Sequence, residues 1–425
     1  MIANGLIRLV IASLGLAVLS FAPAHAQFES AAGKVEITPT KTVFMAGYGS
    51  NRKSVGAHDP LWARCIVLKN GVQTVVLVSC DVLGISSFHG AKIRALITKV
   101  PKECVLIGAT HTHSGPDTYG QWGPNMMTSG VDKEWMASLY QKVAKLVDDT
   151  VTKTKPSSLQ FGNIFGIEKA SKNIRVKQML DTELAAMRIM GQDGKTIATL
   201  INYACHPEVL NNKQLTSDFP NWLRMRVEER LGGVAVYMNG AQGGMVTTDV
   251  QNESSYPKGE AWPEAERIGN LLGDKAVECL IHGQVVLNPA ITFQHRVFQV
   301  PLQNNGFKML IKAGVIQGVA LKDDVIETEV NRFTIGKAEF ITLPGEVLPT
   351  IGMYLKRKMT GTWKFQLGLT CDALGYILTP EDYGQELYKY ETSVSIGESM
   401  GRIMEENLLS LIAAGAQKPA RNIVK

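Results

Sequence analysis

Apolar positions along this chain alternate between two spacings. Val72 to Leu83 is a run rich in Val and Leu that turns after Asp81, the pattern of a buried strand. Trp135, Leu139, Val143 and Leu146 instead recur at the steps of one helix face, so Lys133 to Val151 is expected to form an amphipathic helix. Leu184–Met190 and Thr196–Ala204 read as strands joined by a Gln192-Asp193-Gly194 turn. Pro220 opens a helix that ends near Leu231 before Gly232-Gly233. Val234–Met238 and Lys337–Leu343 read as further strands, and Pro263–Leu280 and Val347–Lys358 as further helices. Thr154–Ser158, with Pro156, reads as a short polar connection, and Pro380 as the start of a helix capped by Glu381 and Asp382. This alternation predicts an α/β fold: a large mixed β-sheet flanked by helices. No repeat, linker or low-complexity tract divides residues 27–425, which are expected to form one domain.

The polar residues with chemical potential fall where apolar strands stop: His111 and His113, then His206, Asn239 and Glu346. Such positions converge on one edge of an α/β sheet, which predicts a single site there. In an extended segment residues i and i+2 point to one side, so the two rings of Thr110-His111-Thr112-His113 share a pocket. Such a pair suits a metal ion, or a metal with an acid–base partner. His206 is followed by Pro207, which restricts it, and its residue type alone leaves ligand and structural roles open. Glu346, between a strand and a helix, would also be favoured there by the helix dipole. Asn239 to Thr247 forms a glycine-rich turn in which Gly243 and Gly244 could bring N–H groups to a substrate oxygen, and which could equally be a tight connection. Tyr376, Tyr383, Tyr388 and Tyr390 cluster late in the chain. His58-Asp59-Pro60 and Asp81 are lesser candidates, and His89, His282 and His295 read as structural or surface residues.

Composition narrows the setting. Arg8 precedes an apolar run from Leu9 to Phe21, and Ala24-His25-Ala26 offers a cleavage pattern, so residues 1–26 are expected to be a signal peptide. No later run has the ~18 apolar residues that a membrane span requires. The expected mature protein, starting at Gln27, is periplasmic or secreted, with room for peripheral membrane contact. Removing Arg8 lowers the formal charge from +5 by one, and no basic block offers a grip for nucleic acid. Six cysteines show no zinc-finger spacing and leave thiols and disulfides both open. Oligomeric state is not readable.

Four blocks in order, Ala109–Pro116, Asn202–Pro207, Leu343–Glu346 and Tyr376–Tyr383, resemble the catalytic domain of the neutral/alkaline ceramidase family. The resemblance runs from about Val35 to Ser395. It implies one Zn²⁺ per chain, held by His111, His206, Glu346 and Tyr376, with His113 beside it handling a proton. It also implies that Arg175 and Tyr390 lie near the substrate carbonyl, with Tyr388 an alternative to Tyr390. The chain departs from the family at the Gly-Asp-Val-Ser-Pro block, which here reads Gly243-Gly244-Met245-Val246-Thr247. Val246 replaces the family serine and Thr247 is one residue out of register. The expected chain also ends without the family's immunoglobulin-like C-terminal domain.

The implied activity is therefore zinc-dependent cleavage of an N-acyl (amide) bond in a small or lipid-like substrate by activated water. Gly243, Gly244 and Thr247 would form an oxyanion loop. Two rival readings are a non-catalytic, metal-containing relative that binds lipid or glycan, and a hydrolase of ester or glycosidic bonds.

Overall fold

The computed structural model describes residues 27–317 and 323–416, so the expected signal peptide lies outside the described residues. Nine strands form the main sheet. Its path members in chain order are β1 (Phe28–Glu36), β2 (Trp62–Asn70), β3 (Gln73–Cys80), β4 (Val105–Ala109), β5 (Lys155–Ile164), β6 (Leu184–Gly191), β7 (Thr196–Tyr203) and β8 (Val234–Asn239). They lie in the order β8-β7-β6-β5-β1-β2-β3-β4, and β9 (Gln284–Leu287) pairs with β5 beside this path. The β3/β4 and β7/β8 pairs are parallel and the others antiparallel. The sheet is therefore mixed and flanked by helices, as the sequence pattern predicts.

A second sheet of four strands, β10 (Ile291–Pro301), β11 (Val325–Ile335), β12 (Ala338–Leu343) and β13 (Trp363–Gly368), packs face to face with the first. Phe333, Phe340 and Phe365 occupy paired positions on adjacent strands. Their rings stack at 4.4 and 4.3 Å, and Phe161 of β5 meets Trp363 at 5.0 Å. Each such pair contributes roughly 1 kcal/mol beyond its area burial. Helices α1 (Ser87–Leu96) and α2 (Lys133–Val151) cover part of the outer face of the first sheet, and α3 (Phe219–Leu231) and α4 (Trp262–Ile281) the rest. The second sheet is covered by α6 (Pro349–Lys358) and α7 (Met400–Ala416), after the short helix α5 (Asn305–Lys312). No helix among the described residues is long and apolar enough to cross a membrane.

Three local expectations are corrected. Thr154–Ser158 is not a free connection: from Lys155 onward it pairs with β1 and β6. Glu346 and Val347 form a strand stub against Tyr376 and Ile377, and α6 begins only at Pro349. Pro380–Gly384 forms hydrogen-bonded turns on Thr379 rather than a helix. All six cysteines are buried and unpaired.

The first sheet curls until β8 and β4, at opposite ends of its order, meet. The Ser79 hydroxyl donates to the Tyr237 carbonyl at 2.6 Å, and the Asn239 amide donates to the carbonyls of Thr110 and Cys205. Asn239 is thus a pin between the two histidine-bearing segments. Asp81 is likewise structural: Arg224 grips both of its oxygens, at 2.7 and 2.9 Å. Asp59 is held by the Thr216 hydroxyl and the Ser217 N–H.

Candidate metal centre

His111 follows the end of β4 in a left-handed conformation, φ 71°, a strained position for a residue with a side chain. The strain is offset by placement: its N–H donates to Val82 and its Nδ1 contacts the Leu83 carbonyl at 2.7 Å. His206, past the end of β7, is fixed the same way. Its N–H and its Nδ1 both reach the Val246 carbonyl, each at 2.9 Å. With each Nδ1 turned to a carbonyl, each ring in its neutral form would keep the Nε2 lone pair free, the usual arrangement behind a metal-bound imidazole. Both Nε2 atoms point to one oxygen: Glu346 Oε2 lies 3.1 Å from His206 and 3.4 Å from His111.

His113 completes the group. Its ring centroid is 5.0 Å from that of His111 and 5.7 Å from that of His206. The three histidines offer nitrogen atoms within 4.8 Å of one another. Both His113 ring nitrogens are buried without a hydrogen-bond partner, a costly state that an interior site for a ligand explains. Glu208 Oε2 stands 3.6 Å from His113 Nδ1. Tyr48 packs edge-on against the His113 ring and its hydroxyl donates to the Glu208 carbonyl. Arg52 donates to the carbonyls of His113 and Ala46.

The charges follow from this packing. Burial would raise the Glu346 carboxyl, but His111 and His206 hold it well below the usual carboxylate range. Burial lowers His206, yet Glu346 and Glu208 outweigh it and raise the imidazole to about 9. Burial pushes His113 well below its ordinary value, and His111 and His206 push it the same way. A carboxylate, two oriented imidazoles and an unpartnered imidazole form a donor set that fits a small cation such as Zn²⁺.

Tyr376 stands beside the group. It pairs with Glu346 across the strand stub, its ring stacks against His206 at 6.4 Å, and its hydroxyl donates to Met245 Sδ at 3.5 Å. Tyr390 meets Tyr376 edge-on at 5.9 Å and is half exposed at the cavity, whereas Tyr388 is buried among Leu348, Tyr376 and Leu378. Tyr390 is therefore the tyrosine of that pair that faces the site. Arg175 does not line the cavity: its guanidinium bonds both oxygens of the fully buried Glu391, at 2.8 and 3.3 Å.

The expected oxyanion loop lies behind the centre. Gly243, Gly244 and Thr247 do not line the cavity. The Gly243 N–H already donates to the Val347 carbonyl, and a Cβ there would collide with the Glu346 carbonyl. Thr247 pairs with Lys172 and bridges to His206. The loop supports His206 and Glu346 from behind, and Val246 holds His206 through its carbonyl. Sequence reasoning missed Glu208, although it lies two residues after His206. It also missed Arg52, Tyr48 and Glu391, whose partners are far away in the chain.

The remaining histidines have local duties. His89 is buried between Tyr140 and Thr118, and His295 bonds Asn331. His58 stacks on Trp262 at 3.9 Å.

Fold and site together define a mixed α/β protein whose strand ends converge on a buried histidine–carboxylate centre. Residues 28–237 match the family described as neutral/alkaline non-lysosomal ceramidase, N-terminal. The neutral ceramidase of Pseudomonas aeruginosa is 28% identical over 142 residues, which span 31% of this chain and 21% of that relative. A crystal structure of neutral ceramidase from Pseudomonas aeruginosa superposes with a TM-score of 0.78 at 17% identity, covering 92% of this chain and 74% of that one. A ceramidase complexed with C2 superposes at 0.76 and 17%, covering 92% and 75%. These two likenesses show the fold.

Proposed function

We propose that this chain is an exported, zinc-dependent amidohydrolase that cleaves an N-acyl bond. The observation carrying the reading is the convergence of His111 Nε2 and His206 Nε2 on one Glu346 oxygen. His111, His206, Glu346 and Tyr376 would hold one zinc ion, which supplies a polarising charge and a water acidified to a pKa of ~7. His113 is the proton handler. Burial keeps its imidazole neutral, so a ring nitrogen can accept the water proton as oxygen adds to the carbonyl carbon. The same nitrogen returns the proton to the departing amine as the C–N bond breaks, leaving a carboxylic acid and an amine.

The Tyr390 hydroxyl donates to the developing oxyanion. Arg175 acts through Glu391, anchoring the segment that presents Tyr390. No serine enters this scheme, in keeping with Val246 at that position. The family match over residues 28–237 and the likeness to a neutral ceramidase support the amide bond as the target.

The test is zinc content and turnover of N-acyl substrates by the purified chain and by Glu346→Ala. Stoichiometric zinc with hydrolysis, both lost in the variant, is expected. Hydrolysis undiminished by removing both zinc and Glu346 would overturn the reading. Stoichiometric zinc without turnover of any amide would favour the non-catalytic alternative, to which Val246 also lends support.

A further inference from the structure

With the glycine loop behind the centre, the proposed mechanism has one donor for the developing oxyanion, Tyr390. A second phenol stands in the wall of the same cavity. Tyr119 lines it together with His111, Glu346, Tyr376 and Tyr390.

Tyr119 is held from several sides. Asp117, itself 1% exposed, accepts at Oδ1 from the N–H groups of Tyr119 and Gly120, at 2.9 and 2.8 Å. Its Oδ2 accepts from the N–H of Trp122 at 3.0 Å. One carboxylate thus fixes the bend of the chain that follows His113. The Trp122 ring meets the Tyr119 ring edge-on at 6.0 Å, and its indole N–H donates to the Tyr48 carbonyl at 2.5 Å. The Thr118 hydroxyl donates to the Gly84 carbonyl at 2.7 Å. This lays the bend against Leu83 and Gly84, and the Leu83 carbonyl is the one that orients His111. A Cβ on Gly84 would collide with the Tyr119 hydroxyl and with Ala373, so that hydroxyl rests on bare backbone.

Among the described residues nothing accepts a hydrogen bond from the Tyr119 hydroxyl, which belongs to the cavity wall. Burial holds the phenol well above its ordinary pKa, and Glu346, Asp372 and Asp117 push it the same way. It is therefore a donor at neutral pH and not a base. Tyr390 also feels Glu346, but its other carboxylate neighbours are Glu208 and Glu391. The two tyrosines thus approach the centre from different sides. A fixed donor without a partner suits a developing oxyanion, because no reorganisation remains when the charge appears.

We infer that Tyr119 is a further catalytic residue, its hydroxyl donating to the oxyanion alongside that of Tyr390. This rests on the proposed hydrolase reading, but the contact can be read without turnover.

The experiment compares the zinc-loaded full chain as wild type and as Tyr119→Phe. The lost hydroxyl has no partner in the protein, so melting temperature and zinc content should match wild type. Steady-state kinetics are measured on a short-chain ceramide and on N-octanoylglycine. Binding of methyl octylphosphonate, a tetrahedral anion, is measured by calorimetry beside octanamide, a planar amide. In the variant kcat should fall about a hundredfold with KM little changed. Phosphonate affinity should fall at least tenfold while octanamide binding holds. A kcat within threefold of wild type, or a phosphonate weakened no more than octanamide, would overturn the inference. So would a lower melting temperature with both ligands weakened alike, which would make the hydroxyl structural. If wild type cleaves neither substrate but the variant loses phosphonate affinity selectively, the Tyr119 contact stands and the hydrolase reading falls. If both proteins cleave at the same rate, the hydrolase reading stands and the Tyr119 assignment falls.

Discussion

Oε2 of Glu346 lies 3.1 Å from Nε2 of His206, across 140 positions of sequence. Two sheets supply the pair: His206 ends a strand of the first, and Glu346 follows a strand of the second. The carboxylate is mostly shielded from solvent and held well below its usual range by the histidines, so it carries a negative charge at neutral pH. Replacing it with alanine removes one ligand and the charge that balances two imidazoles. Glu346→Ala should weaken zinc binding roughly a hundredfold or more, read by competition with a chromophoric chelator.

His113 separates two donor sets. Geometry groups it with His111 and His206, whereas the proposed mechanism keeps it off the metal. His113→Ala should therefore retain stoichiometric zinc while kcat falls about 10²- to 10⁴-fold. Zinc analysis beside kinetics decides the matter. Loss of zinc in this variant would make His113 a ligand and remove the proposed proton handler.

Much of this was legible in the sequence. Strand ends drew attention to His111, His113, His206 and Glu346, because each follows an apolar strand and such ends gather along one edge of a sheet. The α/β alternation was equally clear. What the pattern could not carry was the second sheet as a separate layer, since β10 to β13 have the same periodicity as strands of the first. Nor could it carry the curl that brings β8 to β4, which depends on Ser79, Asn239 and their distant carbonyls. The tie of the glycine loop to the second sheet was not legible either, because the acceptor of the Gly243 N–H, Val347, lies far away in the chain. Arg175 and Tyr390 were found by resemblance, but the Glu391 partner of Arg175 is visible only in the fold.

Arg175 illustrates the difference between touching substrate and holding a wall. Glu391 is fully buried and Arg175 grips both of its oxygens. Removing the guanidinium leaves that carboxylate without its cationic partner, which costs about 3 kcal/mol or more. Arg175→Ala should accordingly lower the urea midpoint as well as activity. A variant with unchanged stability and a purely catalytic defect would return Arg175 to the substrate carbonyl.

The two neighbouring tyrosines should differ. Tyr390 is half exposed at the cavity and Tyr388 is buried in packing. Tyr390→Phe removes one donor to the oxyanion, worth about 3 kcal/mol of transition-state stabilisation. The expected signature is a fall in kcat of about a hundredfold with KM little changed. Tyr388→Phe should leave both constants close to wild type, and steady-state kinetics on the pair tests the assignment.

A pH effect on stability should arise away from the centre, at His89. Its Nε2 donates to the Thr118 carbonyl at 3.0 Å, so its Nδ1 must accept from the Tyr140 hydroxyl at 2.6 Å. Burial lowers its pKa from 6.5 to about 4, against a smaller opposing effect of the Thr118 bond. Between those values the unfolded chain binds a proton that the folded chain refuses. The unfolded state therefore holds more protons, and stability falls as pH drops through this window. The depression corresponds to roughly 3 kcal/mol at its full extent, present above pH 6.5 and exhausted below about 4. Gln has no proton to gain, so in His89→Gln this part of the acid loss disappears whatever the cost of the substitution at neutral pH. Urea denaturation of both proteins across this range should show the wild type losing its advantage as the solution is acidified. Parallel pH curves for the two proteins would mean that His89 does not stay neutral in the fold.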